Sequence, residues 1–353
     1  MRLKTTFEKR DTMVVKGLAI LMLLFYHLFE NAAVLEQLNV VYAPFPRDLF
    51  LMLSGFGNIC VAVFVFLTAY GITKGCMTSE DDSVTALMHG AVGRFCKLIG
   101  NFVIMYLSVN LVWHSFFDYV KLYGKGIQGC MLAFIDMFGF AQFFGTPTLN
   151  MTWWYMELAI LFIFLVPVMY LLVRKAGAYS LILAFLLPMA VSMNEDVQRY
   201  FLVAMLGVTA AKELWLEKIF SRKLHPVWKT LIGVILIAIC IPLRQNYMVH
   251  THFLWILDGP IALLLCWFGG EILARIPGLS HVLAFFGRYS MNIFFVHTFL
   301  YLAIHRDWFY SFRYAALIWA VLAAASLIYS IVLEAVKKGL RMALKIVERG
   351  ANG

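Results

Sequence analysis

The sequence predicts an all-α fold: a polytopic membrane helix bundle of about ten transmembrane helices, with both termini in the cytoplasm. Three observations carry this expectation. The chain is 62% hydrophobic and 16% aromatic against only 14% charged residues, which is too apolar for a soluble chain of this length. Apolar runs of about 17–22 residues recur along almost all of it, each long enough to cross a hydrocarbon core of roughly 30 Å as a helix. Lys and Arg concentrate on alternate sides of successive runs, which sets the orientation.

The expected spans lie near residues 13–30, 57–74, 98–116, 152–173, 178–193, 198–214, 229–244, 253–271, 283–304 and 314–336. The first is preceded by basic residues and followed by "NAA", as in a secretory signal. Nine further spans, and the polar interruptions Lys16 and His27, make it an uncleaved helix instead. The fifth and sixth are short and separated only by residues 193–199. A further apolar stretch, 129–144, holds Asp136 and Gln142 and ends in "GTPTLN". It reads as a re-entrant or interfacial segment.

With the N-terminus inside, most of the 29 Lys and Arg residues fall on the cytoplasmic side, including the tail "KKGLRMALKIVERG". The net charge of +9 therefore points to lipid headgroups rather than to nucleic acid. Six cysteines are scattered singly without CxxC spacing, as core thiols are. No repeat of 20–50 residues and no linker composition interrupts the chain, whose longest polar stretch is the "TSEDDS" loop. A single membrane domain over residues 1–353, without an appended soluble domain, is the expected organisation. No Walker loop, GxSxG elbow, HExxH or metal-ligating cluster is present in the sequence, so neither nucleotide hydrolysis nor a metal site is expected.

A polar side chain inside a span costs roughly 2 kcal/mol or more unless partnered. His27 therefore needs a reason. Eleven residues separate it from Lys16, about three helical turns and roughly 16 Å, so the two share a face. Lys16 sits near the cytoplasmic entry and His27 in the outer half of the bilayer. A pantetheine arm is of about that length, so a nucleotide-bearing thioester could rest its phosphates on cytoplasmic cations and present its acyl carbon near His27. Glu157, Asp258 and His297 lie at a similar depth, roughly 6–12 Å from the outer face. Arg94, Lys97 and Arg288 add cations on the cytoplasmic side. Several have a plain structural reading beside the functional one: a packing hydrogen bond for His27, a local group before Gly259 and Pro260 for Asp258, and positive-inside anchoring for the cations. Glu157 and His297 lack the excuse that Gly259 and Pro260 give Asp258. The Trp153 and Trp154 pair reads as an interfacial belt or as the floor of a glycan-binding opening.

Four stretches resemble the acyltransferase-3 family of integral-membrane enzymes that O-acylate glycans, peptidoglycan and related surface molecules. "RDTMVVKGLAILMLLFYHLF" looks like its opening helix, with a basic residue, ten residues and a histidine. "VAVFVFLTAYGITKG" resembles its second helix, "TWWYMELAILFIFLVPVMY" its central Trp-containing helix, and "LAFFGRYSMNIFFVH" its late Gly-basic-x-Ser segment ending in histidine. The likeness runs from about residue 7 to residue 335. It implies a ten-helix bundle, an acyl-CoA donor on the cytoplasmic side and an acceptor on the outer side. By position it carries the basic-x10-His pair to Lys16 and His27, the early Arg to Arg10, the third-helix basic positions to Arg94 and Lys97, and the late histidine to His297. The chain departs in "LTAYG", where the family more often has Ser-Gly-Phe, and in having no hydrolase-like domain after the last span.

The expected chemistry is transfer of a small acyl group, acetyl foremost, from CoA to a hydroxyl of a cell-surface glycan or related acceptor, in the plasma or inner membrane. A neutral imidazole, with an ordinary pKa of about 6.5, suits removal of the hydroxyl proton. His27 is the candidate base, with Glu157 or Asp258 to orient its ring. An acetyl-histidine relay is the alternative. The rival class is a proton-coupled secondary transporter, since intramembrane His, Glu and Asp also build proton relays. The lack of an inverted repeat and the cytoplasmic cations count against it.

Overall fold

The computed structural model of the protein describes residues 6–81, 83–248, 253–301 and 306–351. The end of the expected ninth span, residues 302–304, lies outside the described residues, as does Asp82 of the "TSEDDS" loop. Among the described residues no β-strand forms. The helices are α1 (Lys9–Phe29), α2 (Ala32–Gln37), α3 (Arg47–Phe56), α4 (Cys60–Met77), α5 (Val84–Trp113), α6 (Tyr119–Tyr123), α7 (Gly126–Met137) and α8 (Tyr155–Ala176). There follow α9 (Ser180–Ala190), α10 (Glu195–Lys212), α11 (Trp215–Phe220), α12 (Pro226–Pro242), α13 (Leu254–Glu271), α14 (Leu279–Tyr301), α15 (Arg306–Tyr310) and α16 (Ala315–Ala351).

Seven described segments are long and apolar enough to cross a membrane: Lys9–Phe29, Arg47–Met77, Val84–Phe116, Met151–Ala190, Pro226–Asn246, Leu254–Arg275 and Ala315–Ala343. They account for eight of the ten expected spans, because the fourth and fifth run together through a 3-10 turn at Gly177–Tyr179. The sixth and ninth form helices, α10 and α14, that carry too much polarity to qualify. Glu195, Asp196, Arg199 and Lys212 lie on α10, and Ser280, His281, Arg288, Ser290, Asn292 and His297 on α14.

The fold divides into two compact units, one of Met1–Phe95 with Leu158–Arg288 and one of Cys96–Glu157 with Tyr289–Gly353. The division falls within α5, α8 and α14. In the first unit α1, α4, α10 and α13 pack together. Residues 200–211 of α10 are buried all round, the pattern of a helix enclosed by others, so α10 needs no apolar face for lipid. α12 is the opposite case. Only Lys229 and Gly233 are buried on it, while Val227, Trp228, Leu231, Ile235 and Ile239 are exposed, as on a lipid-facing helix. Its single buried cation turns inward, where Glu271 Oε1 accepts from Lys229 Nζ at 2.8 Å and pairs with Arg275 at 2.8 Å.

α1 meets α14 backbone to backbone. A Cβ added at Gly17 would run into the Leu283 carbonyl, and one added at Gly287 into the Met13 carbonyl. Only hydrogen at both positions allows this approach. The N-terminal end of α1 is fixed by a reciprocal cap, with Glu8 N donating to Asp11 Oδ2 at 2.7 Å. Phe7 seats against Tyr70 and Phe220.

In the second unit the core is aromatic. Phe102, Trp153, Phe295 and Phe299 stack edge-on or tilted at 5.0–5.5 Å, and Trp113 lies on Phe299 and Tyr329. Each such pair is worth about 0.5–1.5 kcal/mol beyond area burial. Trp153 is therefore a core residue and not a belt or an opening's floor; its indole N–H donates to the Phe295 carbonyl at 3.0 Å. The expected interfacial stretch forms α7 and a series of turns. Asp136 anchors it, accepting from Tyr123 Oη at 2.6 Å and from Leu149 N at 2.8 Å.

Candidate active site

In the first unit the site is built on the last turns of α1. Phe25 and Phe29 pack edge-on against Phe50 of α3 at 4.9 and 5.0 Å, and Ser54 Oγ donates to the Phe25 carbonyl at 3.1 Å. These contacts fix the rotation of the helix end. Tyr26, His27 and Glu30 belong to the same end. His27, 18% exposed at its side chain, places Nδ1 3.4 Å from Glu30 Oε1. A spacing of three residues puts such a pair on one helix face.

Beside them opens a cavity of about 430 Å³ lined by Tyr26, Phe29, Glu30, Asn31, Leu51 and Gly55. Gln245 Oε1 lies 2.8 Å from where a Gly55 Cβ would stand, so glycine there lets the amide lie against α3. Two aromatic rings, a carboxylate and an amide around one space suit a polyhydroxylated molecule, which offers both C–H faces and hydroxyls.

Asp258 is fully buried on α13, which runs unbroken through Gly259 and Pro260. Its carboxylate does not touch the His27 ring. Oδ2 accepts from Arg199 Nε at 3.0 Å and Oδ1 from Arg244 Nε at 2.9 Å. The direct partner expected of Asp258 is Glu30, and the reason is electrostatic: a carboxylate enclosed between two guanidiniums is already neutralised. Both arginines also donate to Asn58 Oδ1, at 2.7 Å from Arg199 and 3.3 Å from Arg244.

Of the expected cations, Lys16 is half-buried on α1 and Arg288 exposed on α14. They adjoin Gly17 and Gly287 and so flank the crossing of the two helices. Arg10 is exposed, with Nη2 donating to Ser280 Oγ of α14 at 3.2 Å. Arg94 is half-buried on α5, and its Nη2 lies 2.8 Å from where a Gly75 Cβ would stand at the end of α4. The structure thus ties Arg10 and Arg288 to the α1 and α14 pair and Arg94 to α4.

In the second unit, Lys97 is exposed on α5 and Glu157 half-buried in the first turn of α8. His297 is fully buried on α14, and its Nδ1 lies 2.7 Å from the Phe294 carbonyl and 3.2 Å from that of Ile293. A carbonyl only accepts, so Nδ1 is the donor in these contacts. Tyr301 stacks on the ring at 6.3 Å. One residue on, Thr298 hydrogen-bonds Asn150, whose Oδ1 also accepts from Thr152 N at 3.0 Å.

Sequence reasoning passed over Tyr26, Glu30, Asn58, Arg199 and Arg244. Glu30 was accessible to it, one turn past His27. Arg244, at the end of an apolar run, was visible only as an outer-loop charge.

A family model described as "Acyltransferase domain", of the type-3 acyltransferases, matches residues 13–335, nearly the whole chain. No curated protein and no solved structure matches it.

Proposed function

Since the chain belongs to the acyltransferase-3 family and is a membrane acyltransferase, we propose that it transfers a small acyl group, acetyl foremost, from cytoplasmic acyl-CoA to a hydroxyl of a cell-surface glycan or related acceptor. The observation that carries this is the His27 and Glu30 pair beside a cavity of mixed aromatic and polar lining. The acceptor hydroxyl occupies that cavity. His27 Nε2 takes its proton as the oxygen attacks the thioester carbonyl, the C–S bond breaks, and the imidazolium returns the proton to the departing CoA thiolate. Glu30 holds the ring and stabilises the imidazolium. Arg10, Lys16, Arg94, Lys97 and Arg288 hold the donor phosphates. His297 and Glu157 complete the set of titratable groups and assist proton movement. Ten spans with both termini inside carry this arrangement in the plasma or inner membrane. Proton-coupled transport, the competing class, is not favoured by the family to which the chain belongs.

The test is purified protein in nanodiscs given acetyl-labelled CoA and a panel of polysaccharides. CoA release with label on an oxygen ester is the expected result. Proton-driven solute uptake without CoA release would replace this reading by the transporter.

A further inference from the structure

Lys74 and Arg94 meet the end of α4 from two sides. Lys74 Nζ donates to Glu217 Oε1 of α11 at 2.8 Å, and Tyr70 Oη donates to the same oxygen at 2.9 Å. The other oxygen, Oε2, is buried and has no hydrogen-bond partner. An ionised carboxylate accepts at both oxygens, and leaving one buried without a donor offsets much of what the ion pair gains. Lys74 stays within reach of solvent, its side chain 32% exposed. The Tyr70 ring lies 5.4 Å from its nitrogen and is fixed edge-on by Phe7 at 5.5 Å. An aromatic face therefore holds Lys74 in place as well as Glu217 does.

Arg94 comes from α5. Its Nη2 lies 2.8 Å from where a Gly75 Cβ would stand, so the residue next to Lys74 is glycine where the guanidinium passes. Among the described residues Arg94 makes no ion pair. The loop joining α4 to α5, on the side expected to be cytoplasmic, carries Glu80 and Asp81, both exposed. Asp81 Oδ1 is turned to Ser83 N at 2.8 Å within that loop. Glu217 is thus the one carboxylate, among the described residues, in ion-pair contact with either cation. An ammonium and a guanidinium at one helix end present donors that a phosphate matches.

We propose that Lys74 joins Arg94 in binding a phosphate of the acyl-CoA donor, and that Glu217 holds Lys74 until the donor displaces it. The inference rests on the acyl-CoA reading of the function, and it adds to that reading one binding residue and one competitor. The exchange is anion for anion. The phosphate takes the ammonium and the guanidinium, while Glu217 keeps its bond from Tyr70 and is released to turn its second oxygen to water.

The test is CoA affinity of full-length protein held in nanodiscs of zwitterionic lipid. Lys74→Gln should weaken binding by about tenfold, the loss of a charge-assisted contact. Glu217→Gln removes the competing charge and keeps an acceptor for Tyr70. It should tighten binding by up to about fivefold, the scale of a partly exposed ion pair. Lys218→Gln, an exposed cation beside Glu217 on α11, should leave affinity unchanged and controls for charge in general. Unchanged or weaker binding in Glu217→Gln would overturn the exchange. So would a Lys74→Gln protein that loses thermal stability and keeps its affinity, since that is the result of packing alone. A second readout needs no variant: the reactivity of Lys74 toward an amine-directed reagent, read by mass spectrometry. Both inorganic pyrophosphate and CoA should protect Lys74 in the wild type. If pyrophosphate protects and CoA neither binds nor protects, the acyl-CoA reading fails while the phosphate pair stands. If neither protects, the pair is structural and the proposal fails. Protection that follows phosphatidylglycerol added to the nanodiscs, and not CoA, would assign the pair to a lipid headgroup and overturn its role toward the donor.

Discussion

His27 and Asp258 show how far apart two polar residues within apolar helices can stand in role. His27 is half-buried, with the half-exposed carboxylate of Glu30 beside it, and its replacement by Ala removes a polar group without stranding another buried charge. His27→Ala is therefore expected to insert and fold while acyl transfer is abolished, as read by CoA release and by size-exclusion behaviour. Asp258→Ala is expected to do the reverse of this in its first effect. It leaves Arg244 buried without its counter-charge, at a cost of about 3–5 kcal/mol, so thermal unfolding in detergent should shift down before any activity is compared. The sequence made Lys16, His27 and the buried position of Asp258 legible, because an ionisable residue inside an apolar run stands out against it. Asp258's partners were not legible. Arg199 lies 59 residues away and Arg244 14, and no periodicity within one helix reveals a bond to another.

At the scale of helices, glycine decides where α1 can lie. The crossing at Gly17 and Gly287 leaves no room for a Cβ on either side, and the obstacle is backbone, which cannot turn aside as a side chain does. Gly17→Val or Gly287→Val should cost about 1–3 kcal/mol or more through forced separation of α1 and α14. Because Lys16 and Arg288 flank that crossing, donor affinity should fall with it, by equilibrium binding of CoA. A substitution at Gly71 of α4, where nothing lies within 4 Å of an added Cβ, is the matched control. The apolar runs revealed the existence of these helices but not which of them bear lipid. α10 reads as a weak span because it is short and close to the one before it, yet residues 200–211 of it are buried all round. α12 reads as an ordinary span, yet only Lys229 and Gly233 are buried on it. Burial depends on neighbours, and hydropathy counts only the residue itself.

For the whole molecule, composition was enough to establish a helical membrane protein, and four short motifs were enough to point to its family, which the match over residues 13–335 bears out. Span counting was less direct, since α10 and α14 carry too many polar residues to meet a lipid-based criterion. If the cytoplasmic cations hold the donor phosphates, Lys16→Gln or Arg94→Gln should weaken CoA binding by about 1–3 kcal/mol and flatten its dependence on salt. Affinity measured at several ionic strengths reads both effects. The claim that unites donor, base and acceptor is transfer across the membrane through His27. It is tested most directly in sealed vesicles loaded with acetyl-labelled CoA and given a polysaccharide acceptor outside. The account predicts label on the outer acceptor with wild-type protein and none with His27→Ala, at equal protein content. Transfer that survives in His27→Ala, or that requires CoA on the same side as the acceptor, would contradict it.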